Sequence, residues 1–166
     1  MCRFSHLHVH TQYSLLDGFA SAESLFSKAA NDNMPAVAIT DHGNMFGVFD
    51  FVSKAWKKTK VVGKDEKGKD IEEPIVKPIV GCEFYVVENR HQKIFTKEKK
   101  DDRFHQLLLA KNAVGYQNLI KLTSLGYMEG MYSKYPRIDK ELIEQYKEGL
   151  IATTCCLGAY VPQTIL

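Results

Sequence analysis

The sequence PIVGCEFYVV, residues 78–87, predicts a buried β-strand that carries one acidic side chain, Glu83. Its apolar and β-branched residues are typical of a strand that is covered on both faces. A carboxylate without a partner in such a strand would be costly, because burial removes its hydration. A carboxylate that bridges two cations avoids this cost, so Glu83 is a candidate metal ligand.

Outward from this strand, short apolar segments alternate with amphipathic ones. The predicted strands are residues 4–10, 35–40, 78–87, 104–110 and 150–154, and the predicted helices are 21–33, 44–56, 112–124 and 139–147. Asn44 and Asp139 are expected to cap their helices. The second helix is expected to bury Val48, Val52 and Trp56. Repeated strand–helix units predict an α/β fold, with a parallel sheet or barrel and right-handed crossovers.

Composition sets the class of protein. The chain has 166 residues, of which 45% are hydrophobic and 25% are charged, and this predicts one globular domain. It has neither an apolar segment of the ~20 residues that a membrane span needs nor a signal peptide, so we expect a cytoplasmic protein. The four cysteines, Cys2, Cys82, Cys155 and Cys156, do not form a disulfide pattern and predict reduced thiols. The net charge of +2 does not identify a partner.

Two charged segments interrupt the alternation. Residues 57–73 contain six lysines and five acidic residues, which favours a solvated hairpin or loop over a binding patch. Residues 90–103 are more basic, from Arg90 to Arg103, and are interpreted either as a solvated face or as a segment that contacts phosphates.

Metal-binding residue types fall at or near the ends of the predicted strands. They are His8, His10, Asp17, Asp41, His42, Glu83, His105, Cys155 and Cys156. His8 and His10 are two apart, so on a strand their imidazoles point to the same side. Ligands gather at the carboxyl ends of strands in parallel α/β folds, which predicts a shared site.

Each of these residues also has a structural interpretation. Asp41 is a possible helix cap, His105 a core histidine and Cys156 a small buried residue. Such explanations would have to hold independently for each residue, and this favours a metal site. Neighbours on a strand point to opposite faces, so only one of Cys155 and Cys156 is expected to face the site.

Several motifs together resemble the PHP (polymerase and histidinol phosphatase) domain family. They are HVHT (8–11), SLLDG (14–18), ITDHGN (39–44), PIVGCE (78–83), HQLLLAKN (105–112), GYQNL (115–119) and CLGA (156–159). The form that they resemble is the N-terminal domain of bacterial DNA polymerase III alpha subunits, and the resemblance covers essentially the whole chain.

The resemblance implies a distorted (β/α)7 barrel, of which residues 1–166 would be the N-terminal part, truncated after about five strand–helix units. An Asp-x-His ligand pair of the family is expected beyond Leu166. The 166-residue chain is therefore expected to bind fewer than the family's three metals, to show little nuclease activity and to self-associate through an unpaired strand edge.

The resemblance also implies a ligand set. His8 and His10 would hold one metal that is shared through Glu83, His105 and Cys156 would hold a second metal on Glu83, and Asp17 and His42 would hold a third. The family match selects Cys156 of the cysteine pair. Asp41 would orient an imidazole or accept a hydrogen bond at the site. Mixed imidazole, carboxylate and thiolate ligands favour Zn²⁺, with Mn²⁺ or iron as alternatives.

The implied chemistry is phosphoester hydrolysis, with the 3′ end of a DNA strand as substrate and 3′-to-5′ exonuclease proofreading as the activity. The implied partners are DNA and other subunits of the replicative polymerase. Two alternatives remain open: a metal-stabilised scaffold that docks a separate proofreading subunit, and a free-standing phosphatase. A catalytic metal keeps an open coordination position, whereas a structural metal does not.

Overall fold

The structure is a computed structural model that describes residues 4–98 and 100–166. Cys2 and Lys99, both of which entered the sequence predictions, lie outside the described residues. The chain divides into two compact units, Met1–Ile39 with Phe46–Val80 and Thr40–Met45 with Gly81–Leu166. None of the helices in the described part is long and apolar enough to cross a membrane.

Helices and strands alternate along the chain, so the predicted α/β class is confirmed. In chain order the elements are α1 (Ala22–Asn31), β1 (Ala36–Ile39), α2 (Val48–Ala55), β2 (Thr59–Lys64), β3 (Asp70–Pro74), β4 (Lys77–Val87), β5 (Phe104–Ala110), α3 (Ala113–Met128), β6 (Arg137–Asp139), α4 (Lys140–Tyr146), β7 (Leu150–Ala152) and α5 (Tyr160–Ile165).

The first unit contains β1, which pairs in parallel with the start of β4, from Ala36 opposite Lys77 to Ile39 opposite Val80. The strand predicted at residues 4–10 is wrong, because this segment makes only one isolated bridge, between His6 and Val37. Its apolar side chains Phe4 and Leu7 are exposed, so little burial stabilises an extended strand.

Helix α2 begins later than predicted and buries a different face. It begins after Gly47 without a side-chain cap, whereas the Asn44 amide donates to the His42 carbonyl. Its buried face consists of Val48, Phe51 and Ala55, and Trp56 is 54% exposed. Residues spaced strictly four apart drift by about 40° per step around a helix, which carries Trp56 off the core-facing side. A mixture of three- and four-residue spacing keeps a stripe buried.

Residues 57–73 contain the antiparallel hairpin of β2 and β3, which confirms the predicted solvated hairpin. The pairing extends from Thr59 opposite Pro74 to Lys64 opposite Asp70. Nearly all of its side chains are exposed, and Lys64 lies 3.7 Å from Asp70. Its charges are therefore largely hydrated.

The second unit contains a mixed sheet, so the predicted parallel pairing is wrong for β5 and β7. Gly81–Val86 of β4 pair antiparallel with β5, and β5 pairs antiparallel with β7, while β6 pairs in parallel with the end of β4. Parallel neighbours need a crossover connection, usually a helix, and the described residues between β4 and β5 contain none. Asp139 caps α4 by accepting from the Leu142 amide, as predicted.

Arg90 holds part of the 88–103 segment against the body of the second unit. Its guanidinium lies 2.9 Å from Asp139, 2.7 Å from Glu129 and 3.2 Å from Glu141. Arg137, which is fully buried, donates to Asp101 and to three backbone carbonyls. The Arg90 side chain is therefore not solvated, and acidic residues occupy the guanidinium that a phosphate would contact. Both predictions for this segment are wrong at Arg90.

Candidate metal centre

Glu83 lies in the middle of β4 and is only 1% exposed. The segment after β1 runs beside it, since the Glu83 amide donates to the Asp41 carbonyl at 3.1 Å and the Gly43 amide donates to the Glu83 carbonyl at 2.7 Å. These bonds place His42 directly opposite Glu83 in a parallel bridge. The imidazole Nδ1 of His42 consequently lies 3.1 Å from the carboxylate Oε1 of Glu83.

His105 reaches the same carboxylate from the other side of β4. In the antiparallel pairing Glu83 is opposite Leu107 and Tyr85 is opposite His105, so Glu83 and His105 are diagonal neighbours on one face. His105 Nδ1 lies 2.6 Å from Glu83 Oε1. The Glu83 carboxylate raises the pKa of His105 to about 9, and Cys156 adds to this effect, although burial opposes it.

Cys156 lies in the loop that follows β7, and its Sγ is 3.4 Å from His105 Nδ1. This loop is attached to the start of β5, because the His105 amide donates to the Gly158 carbonyl at 2.9 Å. A Cβ atom at Gly158 would lie 3.2 Å from His105 Nδ1, so glycine allows the loop to approach the imidazole closely.

The donor set of Glu83, His105 and Cys156 fits a metal ion. Their ligand atoms, one oxygen, one nitrogen and one sulfur, all lie within 4.8 Å of one another. Zinc bonds of about 2.0–2.3 Å in a tetrahedral site place ligand atoms roughly 3.3–3.8 Å apart. Cys156 and His105 are close to this separation at 3.4 Å, whereas His105 and Glu83 are 2.6 Å apart and must separate slightly to bind one ion. Imidazole with thiolate and carboxylate is a set that zinc accepts.

Tyr85 was not predicted, although it contacts both histidines. Its ring stacks on His42 with centroids 5.9 Å apart and meets His105 edge-on at 5.4 Å. Tyr135 packs against it at 5.0 Å. Its position two residues after Glu83 on the same strand was the available signal, because side chains two apart share a face.

Cys155 was predicted to point away from the site. This prediction is wrong, because the Cys155 thiol approaches Glu83. Strand β7 ends at Ala152, and Cys155 follows in a loop with φ of 59°. The alternation of side chains holds only in extended backbone, so the two neighbouring cysteines are not forced to opposite faces. The thiol of Cys155 lies within 4.8 Å of the Glu83 ligand atom.

Asp41 is fully buried, and its carbonyl also accepts a contact from the Cys82 thiol at 3.5 Å. The alternative of a helix cap is wrong, because the cap position of α2 is Gly47. The predicted role of Asp41 in orienting an imidazole stays a prediction.

The first unit brings together the other predicted ligands that it contains. The rings of His8 and His10 meet edge-on with centroids 5.0 Å apart, and the ligand atoms of His10 and Asp17 lie within 4.8 Å of each other. Asp17 lies in a loop that is closed by a bridge between Thr11 and Ala20. The resemblance implies that Asp17 shares a metal with His42, and this assignment stays a prediction.

The PHP domain family matches residues 6–166. DNA polymerase III subunit alpha of Borreliella burgdorferi is 46% identical over 99% of the chain, and that of Thermus aquaticus is 45% identical over 99%. The chain spans only 13% and 12% of these two relatives. A crystal structure of a proposed metal-dependent phosphoesterase from Bifidobacterium adolescentis matches 75% of the chain, with 17% identity, a TM-score of 0.47 and 33% of that protein covered.

Proposed function

This chain belongs to the PHP domain family, and we propose that it is the metal-dependent phosphoesterase part of a bacterial DNA polymerase III alpha subunit. Its proposed reaction is hydrolysis of the terminal phosphodiester at the 3′ end of a DNA strand, which would give 3′-to-5′ proofreading. DNA and the other replicative subunits are the proposed partners, and the bacterial cytoplasm is the proposed location.

The observation that supports this proposal most strongly is the environment of Glu83. A carboxylate that is 1% exposed lies next to two imidazoles, at 3.1 Å and 2.6 Å, and one of these also contacts a thiol. A hydrophobic strand would be more stable with an apolar residue at this position, since buried ion pairs rarely repay their desolvation. Convergent nitrogen, oxygen and sulfur donors around a buried carboxylate are instead typical of a metal centre.

We propose seven metal ligands, all of which keep residue types that bind zinc. They are His8, His10 and Asp17 in the first unit and His42, Glu83, His105 and Cys156 in the second. Zn²⁺ is the proposed metal, because thiolate and imidazole are ligands that it prefers, and Mn²⁺ or iron are alternatives. Up to three ions are proposed for the complete domain.

The protein's own residues hold and orient the ligands. The parallel bridge fixes His42 against Glu83, and the antiparallel pairing of β4 and β5 fixes His105. Tyr85 packs against both imidazoles and limits their rotation. When bound, the metals supply Lewis-acid chemistry, which activates water as a nucleophile and neutralises charge on the phosphate.

The experiment uses the full-length subunit and a single-stranded oligonucleotide labelled at its 3′ end. His10→Ala is expected to abolish metal-dependent release of the terminal nucleotide and to leave polymerisation unchanged. His91→Ala is the matched control, since His91 is exposed and outside the proposed ligand set. Equal exonuclease rates in the wild type and His10→Ala would contradict a catalytic role. Bound metal without hydrolysis in the wild type would favour the scaffold alternative.

A further inference from the structure

Two adjacent thiols, Cys155 and Cys156, lie beside the proposed metal ligands in the loop after β7. Both residues are partly exposed, and the structure contains no disulfide between them. The Cys155 side chain contacts that of Cys156, and each thiol lies within 4.8 Å of a carboxylate oxygen of Glu83. Cys155 adopts φ of 59°, a conformation that residues other than glycine rarely adopt.

We infer that this pair is an oxidation site: peroxide converts Cys155 and Cys156 to a vicinal disulfide, and the disulfide removes Cys156 from the metal. The loss of metal rests on the proposed function, because it requires Cys156 to be a ligand. The formation of the disulfide does not, since it depends only on the two thiols.

The chemistry takes place in two balanced steps. The Cys156 sulfur attacks one oxygen of hydrogen peroxide, the O–O bond breaks, and the products are a sulfenic acid and water. The Cys155 sulfur then displaces hydroxide from the sulfenic acid, the S–S bond forms, and the thiol proton leaves with the hydroxide as a second water. Two thiols are oxidised and one peroxide is reduced.

Accessibility distinguishes this pair from Cys82. Cys82 is fully buried, and its thiol lies 3.5 Å from the Asp41 carbonyl. Among the cysteines that the structure describes, Cys155 and Cys156 are therefore the two that peroxide reaches without unfolding. A metal ion held by Cys156 engages the attacking sulfur, so the metal-loaded protein is protected.

Geometry predicts that the oxidation is reversible. Disulfides usually join residues whose Cα atoms are about 4.4–6.8 Å apart, whereas neighbouring residues in a trans chain are about 3.8 Å apart. A vicinal disulfide is therefore strained, and strained disulfides are reduced more readily than structural ones. Ordinary cellular thiols are expected to restore the dithiol and, with it, the metal ligand.

The test treats the full chain, carrying Cys2→Ser, with hydrogen peroxide in metal-free and zinc-loaded forms. Mass spectrometry with peptide mapping is expected to show the loss of two hydrogens within the peptide that contains both cysteines, reversed by dithiothreitol. Zinc is expected to prevent this change, and oxidised protein is expected to bind less zinc. Cys155→Ser should form no such disulfide and should give a sulfenic acid at Cys156 that dimedone traps.

Two results would overturn the oxidation site. They are the formation of sulfinic acids at both cysteines without a disulfide, and the formation of a disulfide with Cys82 instead. Oxidation at the same rate with and without bound zinc would overturn the link between the disulfide and the metal. A chain that forms the vicinal disulfide but binds no zinc in any state would overturn the proposed function and leave the oxidation site intact. Thiol titration of Cys156→Ser after peroxide treatment measures whether Cys155 reacts when Cys156 is absent.

Discussion

His42 and Glu83 are paired through both backbone and side chain: they form a parallel bridge, and His42 Nδ1 lies 3.1 Å from Glu83 Oε1. The backbone hydrogen bonds on either side of this pair, from Glu83 to Asp41 and from Gly43 to Glu83, do not involve the carboxylate. The position of the two residues is therefore independent of the charge at residue 83.

Glu83→Gln is expected to remove most bound metal without unfolding the protein. The amide keeps the shape of the side chain, but it loses the negative charge that draws cations into a buried site. Elemental analysis of metal per chain measures the effect, and circular dichroism checks the fold. Glu66→Gln, at an exposed hairpin position, should retain the wild-type metal content. Full metal content in Glu83→Gln would show that Glu83 is not a ligand.

Asp41→Ala is expected to weaken metal binding less than loss of a ligand does. Groups that orient metal ligands typically contribute about 10- to 100-fold in metal affinity. Competition with a chromophoric chelator compares Asp41→Ala with His10→Ala in one series. Asp41 is fully buried, so unfolding of each variant is measured beside its metal affinity. A loss as large as that of His10→Ala, in a folded protein, would make Asp41 a ligand.

Gly158→Ala is expected to displace the His105 imidazole and lower metal affinity. The new Cβ would lie 3.2 Å from His105 Nδ1, which is closer than ordinary van der Waals contact. His105 is the second residue of β5 and its side chain is 29% exposed, so we expect a smaller effect on unfolding than on metal affinity. Gly63→Ala provides the control, because a Cβ at that position has no atom within 4 Å. Equal metal affinity in the two variants would show that a Cβ at position 158 does not disturb the His105 imidazole.

Arg90→Met is expected to lower the free energy of unfolding by about 3–5 kcal/mol, because it leaves the buried Asp139 carboxylate without its cation. Arg90 and Asp139 side chains are 10% and 6% exposed and lie 2.9 Å apart. Urea denaturation measures the change. Lys60→Met, at a largely exposed hairpin position, should change stability by less than about 0.5 kcal/mol. A similarly small change in the free energy of unfolding of Arg90→Met would mean that the ion pairs of Arg90 do not stabilise the protein.

Local sequence predicted the elements whose patterns are self-contained. The strand expected at 78–87 is β4 (Lys77–Val87), Asp139 caps its helix, and the lysine-rich segment is a hairpin. Each follows from side-chain chemistry within a few residues: an apolar β-branched run, a capping carboxylate, and alternating charges around glycines. The segment at 4–10 has a strand-like pattern as well, but without enough burial it makes a single bridge.

The amino-acid sequence by itself determined the α/β class and the PHP family, because these depend on composition, periodicity and motif, and it supplied the candidate metal ligands. Tertiary structure decided how those residues meet. His105 reaches Glu83 because β5 returns antiparallel, Cys155 approaches the same carboxylate because its loop takes a left-handed conformation, and Arg90 is buried because distant acidic residues surround it. Strand direction, loop conformation and ion pairing are set by contacts between residues far apart in the chain, which no local pattern encodes.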